Sequence, residues 1–226
     1  MAAPPLRTLT TAEARAFYDR FGHRQDWSAI YEDPAVHALI AHGDFERSRR
    51  LCELGCGTGR LAAHLLGERL PAEATYLGLE VSSTMATLAR RRLAPFGPRA
   101  RVELTDGAML LPVGDGGCDR VLSSYVLDLL AEPAIDTFLD EAHRVLAPGG
   151  RLCLTSLTFG RGPLSRALAG AWMAVHRRRP ALVGGCRPLA LRPRLDDGRW
   201  ELRHHEIRCT LGLCSEVLVA SPRRVT

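Results

Sequence analysis

From residue 50 onward, short apolar runs alternate with amphipathic stretches, and that alternation predicts the fold. RLCEL (50–54), TYLGLE (75–80), ARVELT (100–105), CDRVLSSYV (118–126) and RLCLTSL (151–157) read as five strands. Helices fall between them: Arg60 to Leu66, a segment capped by Ser82 and Ser83 and running to about Leu93, and one opened by Pro133. In the last, Phe138, Leu139, Ala142, Val145 and Leu146 share a face, and APGG (147–150) ends it. Strands separated by helices imply a parallel sheet covered on both faces, a doubly wound α/β fold.

The flanks differ from this core. Residues 10–42 read as helical, with a Thr10/Glu13 capping box and with Gly22 dividing the segment in two. They carry Phe17, Tyr18, Phe21, Trp27, Ile30 and Tyr31. Near the other end, WELRHHEIRC and LCSEVLVA are strand-like with no helix between, so a hairpin bent at Gly212 is expected, closing the sheet antiparallel. About 40 residues rich in Arg, Pro and Gly precede it. Within them Leu164, Leu168, Ala171, Trp172 and Val175 line one helical face. That helix reads either as packed on the sheet or as a lid over a substrate pocket. The expected layout is one domain over 1–226: a helical cap at 10–45, a core at 50–157, the lid segment at 158–198 and the hairpin at 199–219.

A length of 226 residues suits a single α/β domain. No run approaches the about 18 apolar residues that span a bilayer, and the opening MAAPPLRTLTTAEARAF has no signal-peptide layout, so a cytoplasmic location is expected. The net charge is +5 and every basic residue counted in it is arginine; lysine and asparagine are absent. That bias reads as a GC-rich, bacterial genome. The clusters at 47–50, 90–92 and 177–179 are therefore expected to be solvated surface, with no nucleic-acid stripe. Seven cysteines without a CxxC pair indicate neither a disulfide framework nor a zinc site, and no metal is expected.

Candidate chemistry concentrates at the strand ends. An open parallel sheet binds its ligand beyond the carboxyl ends of its strands. The turn after the first strand is Gly55-Cys56-Gly57-Thr58-Gly59. A dinucleotide fingerprint needs glycine three residues after Gly57, where Arg60 stands, and no Gly-Lys-Ser/Thr follows to make a P-loop. The pattern is GxGxG. Glu80 ends strand two, 21 residues after Gly59, where an acid can accept from both ribose hydroxyls. Asp106-Gly107 follows strand three, where a carboxylate can accept from an adenine amino group.

ELGCGTGR, YLGLEVSSTM, TDGAMLLPVGDGGCDRV and EAHRVLAPGGRL resemble, in order, the motifs of class I S-adenosylmethionine-dependent methyltransferases. The likeness is closest to the small-molecule branch that includes the ubiquinone and menaquinone methyltransferases. It covers about residues 50–157. The resemblance implies a Rossmann-like seven-stranded sheet of order 3-2-1-4-5-7-6 with strand seven antiparallel, and S-adenosyl-L-methionine as cofactor. It places Gly55, Cys56, Gly57 and Gly59 against the methionine part, with Glu53 beside its amino group. Glu80, with Val81 next to it, would hold the ribose. Asp106, Gly107 and Ala108 would hold the adenine. Ser124 would complete the set, and Tyr18, in FYDRFG, resembles the segment that closes over the cofactor. Two positions depart from the pattern. Cys118 stands where an aromatic is common. Ser123-Ser124-Tyr125 replaces an Asn-Pro-Pro-Tyr-like motif, so methylation of adenine or glutamine amino groups is not expected.

Methyl transfer from a sulfonium needs alignment and exclusion of water. A soft nucleophile needs no more, whereas a phenol or acidic carbon needs a base. Tyr125, Asp128 and His23 are the candidates for one, with His204 or His205 on the hairpin behind them; none is decisive, and no catalytic residue is assigned. The expected acceptor is small and partly apolar: a quinone, lipid, thiol or secondary metabolite. The face from Leu164 to Val175, followed by three arginines, also fits peripheral contact with a membrane surface. Two other readings stay open, a macromolecular methyltransferase and a non-catalytic S-adenosylmethionine-binding module.

Overall fold

The structure, a computed structural model, describes residues 7–22 and 29–223. Seven strands form one sheet in the order β3-β2-β1-β4-β5-β7-β6. They are β1 (Arg50–Leu54), β2 (Thr75–Glu80), β3 (Ala100–Leu104), β4 (Cys118–Ser124), β5 (Leu146–Thr158), β6 (Trp200–Thr210) and β7 (Leu213–Pro222). β1 to β5 pair in parallel, and β7 runs antiparallel to both β5 and β6. The doubly wound fold and the strand order expected from the sequence are thus observed.

Alternating side chains divide the core in two. On one face Leu51, Leu122, Cys153, Val217 and Val219 meet α2 (Ala29–Gly43), α3 (Arg60–Glu68) and α4 (Ser83–Leu93). On the other, Leu54, Val121, Leu152, Leu154 and Leu218 meet α5 (Glu132–Val145) and the chain around Leu189–Leu195. The α5 stripe lies where the 3.6-residue period places it: Ile135, Phe138, Leu139, Ala142 and Val145 are all buried.

Helix ends follow local chemistry. α1 (Thr11–Phe21) starts in the predicted capping box and stops at Gly22, whose φ of 53° disfavours a side chain. The Ser82 hydroxyl accepts from the Met85 N–H at 3.1 Å and starts α4. α2 ends on two arginine contacts, the first of them buried. Arg120 Nε donates to the Gly43 carbonyl at 2.8 Å, and Arg151 Nη1 donates to that of His42 at 2.9 Å. Guanidinium groups thereby meet carbonyls that have no helical partner. Arginines of the 90–92 cluster are also engaged: Arg90 donates to the Val102 carbonyl at 3.1 Å and Arg92 to the Thr58 hydroxyl at 2.7 Å.

Three expectations are corrected. First, APGG does not separate helix from strand. β5 begins at Leu146, which pairs with Cys118; the register then shifts, so Ala147–Gly150 bulge within the strand before Arg151 pairs with Arg120. Second, α6 (Pro163–Arg178) buries Ser165, Ala169 and His176, while Leu164 is 70% exposed and Leu168 39%. Leu164, Leu168 and Val175 therefore turn outward, whereas Trp172 of the same predicted face packs against the core. Third, Cys209 and Cys214 form a disulfide. The two-residue Leu211-Gly212 turn, with φ of 53° and 85°, makes them a cross-strand pair with Cα atoms 4.0 Å apart. The odd count and missing CxxC concealed a pairing that the hairpin register dictates. Cys52, Cys118 and Cys153 are buried free thiols, and burial pushes the Cys118 thiol up to about 12.

Candidate cofactor site

The turn after β1 is shaped by its glycines. The N–H groups of Gly55 and Cys56 donate to the Leu79 carbonyl at 2.8 and 3.1 Å, folding the turn onto the end of β2. Gly55, Gly57 and Gly59 all have positive φ, at 72°, 54° and 74°. Their surroundings separate their roles. A Cβ on Gly55 would lie 2.3 Å from a Val126 methyl, and one on Gly59 would lie 3.1 Å from the Ala89 backbone. A Cβ on Gly57 would meet nothing within 4 Å, because it faces the cavity. Two glycines therefore permit packing and the middle one keeps the backbone open to a ligand.

Glu80 is the organising carboxylate. Its Oε2 accepts from the Gly57 N–H, and its Oε1 from those of Val81 and Ser82, each at 2.9 Å. Only 7% of it is exposed, and burial raises its pKa against those three donors. Glu53 lies beneath the turn, 2% exposed, where the Tyr76 hydroxyl donates to its carboxylate at 2.5 Å. Burial pushes the Glu53 carboxyl up to about 8, and the charge of Glu80 adds to the shift.

A cavity of about 920 Å³, its open mouth included, lies over this turn at the carboxyl ends of β1, β2 and β4. Tyr18, Gly55, Gly57, Glu80, Val81, Gly107, Ser124 and Tyr125 line it, together with Leu9, Met109, Val126, Leu129 and Leu130. Cys56, Gly59, Asp106 and Ala108 flank it in sequence without lining it. Asp106 is exposed and accepts from the Ala108 N–H at 2.9 Å, closing the β3 turn. The Ser124 hydroxyl shares a 2.7 Å hydrogen bond with that of Thr155.

The candidate bases separate. Tyr125 has a φ of 54°, and its hydroxyl donates to Ser215 at 2.7 Å; burial raises its pKa and disfavours the phenolate. Asp128 is fully buried in a short 3-10 turn that points it away from the cavity wall. Its Oδ2 accepts weakly from the Leu157 N–H at 3.4 Å, and burial pushes its pKa up to about 7. His204 and His205 sit on β6 away from the cavity, His205 meeting Glu216 at 2.9 Å. His23 and Trp27 lie outside the described residues.

Sequence reasoning missed how α1 is fastened. Arg15 Nε donates to the Val81 carbonyl at 2.9 Å, and Asp19 accepts from the Ser82 hydroxyl at 2.6 Å and the Thr84 N–H at 3.1 Å. The i, i+4 spacing of Arg15 and Asp19 on one helix face was the available signal. Gly107, at φ 92°, admits the Thr11 side chain, which a Cβ there would meet at 2.4 Å.

A glycine turn of this geometry at this end of a 3-2-1-4-5-7-6 sheet is the arrangement that the sequence resemblance to class I S-adenosylmethionine-dependent methyltransferases implies. Residues 51–150 match the family described as "Methyltransferase domain". The cofactor of the class is S-adenosylmethionine. Among curated proteins, the fatty-acid O-methyltransferase of Mycolicibacterium smegmatis is 36% identical over 55% of this chain and 43% of its own length. The demethylmenaquinone methyltransferase of Thermus thermophilus is 38% identical over 46% of this chain and 45% of its own. The chain thus spans about half or less of these relatives. Among solved structures, the geranyl diphosphate C-methyltransferase of Streptomyces coelicolor A3(2) superposes with a TM-score of 0.68 at 14% identity, covering 98% of this chain and 100% of that one. At that identity the likeness is one of fold.

Proposed function

We propose that this chain transfers the methyl group of S-adenosylmethionine to a small, partly apolar acceptor. One observation carries the reading: a glycine turn opens a cavity whose floor carboxylate, Glu80, is already oriented by three backbone donors. The cavity fits the cofactor's chemistry. The open space at the Gly57 Cβ position allows close approach to the backbone, and a buried carboxylate suits paired hydroxyls. When bound, the cofactor supplies an electrophilic methyl on a sulfonium.

Glu80, beside Val81, accepts from the ribose. Asp106, with the backbone of Gly107 and Ala108, meets the adenine. Gly55 to Gly59 and Glu53 take the methionine part, and Tyr18 and Ser124 close the site. Leu9, Met109, Val126, Leu129 and Leu130 form an apolar wall that excludes water and seats the acceptor. Among the described residues, the titratable groups on the wall are Tyr18, Glu80 and Tyr125. Glu80 is engaged, and burial raises the pKa of both phenols. This favours an acceptor that needs no base from the protein, such as a carboxylate or thiol. The relatives named for fatty-acid, demethylmenaquinone and geranyl diphosphate methylation favour one with a long apolar part.

Calorimetry with S-adenosylmethionine tests the cofactor half, and Glu80→Ala is expected to weaken binding about 100-fold by stranding three backbone donors. Release of S-adenosylhomocysteine across carboxylate, thiol, phenol and quinol acceptors tests the other half. Binding of NAD in place of S-adenosylmethionine would overturn the proposal.

A further inference from the structure

His42, His204 and Glu206 present one donor atom each, all within 4.8 Å of one another, on the side of the sheet's outer strand away from the cavity. They come from two elements. His42 lies in the last turn of α2. His204 and Glu206 alternate on β6, where they pair with Val219 and Val217 and so share the sheet face that α2 covers. The imidazoles of His42 and His204 stack with centroids 3.5 Å apart and planes 11° apart. His204 Nε2 and Glu206 Oε1 are 3.3 Å apart, yet both atoms are buried without a hydrogen-bond partner. Two buried polar atoms and a second imidazole therefore converge on one point.

We infer that these three residues form a divalent metal site of the zinc type, binding α2 to the edge strand. A tetrahedral ion with bonds of about 2.0–2.2 Å holds its donors about 3.3 Å apart. The His204–Glu206 distance already matches this, and the exposed His42 ring would leave its stack on His204 to turn a nitrogen toward the ion. Two imidazole nitrogens and one carboxylate oxygen select zinc over magnesium or calcium. A fourth position stays open to water.

The surroundings are built to hold the donors. Arg208 Nε binds the other carboxylate oxygen of Glu206 at 2.8 Å, fixing its orientation. Arg120 and Arg151 pin the α2 terminus through the Gly43 and His42 carbonyls. A helix carboxyl end also carries a partial negative charge that favours a cation. Arg151 is itself paired with Asp44 at 2.9 Å, which limits its repulsion of an ion.

The test uses the full chain, stripped by a chelator and titrated near pH 7.5 with Zn²⁺ by calorimetry and with Co²⁺ by visible absorption. One ion per chain is expected, with a Kd below about 10 μM and a melting midpoint raised by roughly 5 °C at saturation. His42→Ala and Glu206→Gln should each weaken binding at least about tenfold while leaving S-adenosylmethionine affinity unchanged. Because His42 is exposed, its variant is expected to fold even where a β6 variant does not. No saturable binding up to about 1 mM, or binding retained in both variants, would overturn the assignment and leave His204 and Glu206 as a simple polar pair.

Discussion

The glycine-turn end of the cavity, where the cofactor is proposed to bind, and the apolar side proposed for the acceptor are built by opposite means. At the cofactor end, Gly55, Gly57 and Glu80 lie in two adjoining strand–turn units and are joined by backbone hydrogen bonds. On the acceptor side, Leu9, Tyr18 and Leu129 come from separate segments. There, Gly185 packs against Leu9 and Leu129, and the Trp172 indole donates to the Cys186 carbonyl at 2.8 Å. Backbone bonds demand particular turns, and turns demand particular residues. Side-chain packing accepts many sequences of similar volume. One end therefore carries a motif and the other does not.

That contrast can be broken at its strongest point. Gly55→Val adds a branched side chain at a φ of 72° against Val126, and is expected to cost about 5 kcal/mol and abolish S-adenosylmethionine binding. Chemical denaturation and calorimetry check it; a stable, binding variant would show that the turn is not constrained.

The next effect is electrostatic. The Glu53 carboxyl is raised from 4.5 to about 8, so the folded chain holds a proton that the unfolded chain releases. Its contribution to stability is complete below about pH 4.5 and is lost as pH rises through about 8, by at most about 4 kcal/mol between pH 5 and pH 8. Glu53→Gln keeps an acceptor for Tyr76 and should flatten the fall in melting temperature over that window. A cofactor ammonium beside Glu53 would favour the carboxylate, so wild-type binding heats should also vary with the buffer's ionisation enthalpy and those of the variant should not.

The smallest effect sharpens the comparison. Trp172→Phe removes one hydrogen bond to Cys186 and should cost about 1 kcal/mol. Acceptor KM is expected to rise while the Kd for S-adenosylmethionine stays constant. Equal losses in both would merge the two regions into one.

The alternation of strands and helices, the capping box at Thr10 and the positions of Glu80 and the glycine turn were legible because each depends on residues close in sequence, whereas the strand order was implied only by the family resemblance. The outward face of α6 was not. Leu164 and Leu168 carry a core-like period, but Ser165, Ala169 and His176 are the side chains that fit the available space. The Cys209–Cys214 bond was hidden for a different reason: cysteine counting sees number and spacing, whereas pairing follows hairpin register.

By itself, the sequence determined the layered α/β fold and the place of the glycine turn, since periodicity, caps and glycine turns act over a few residues. Only the tertiary structure decided which face of α6 is buried, that Asp128 turns away from the cavity, and that His42 meets His204 and Glu206. Those outcomes depend on side chains far apart in the chain competing for the same space, which no local pattern records.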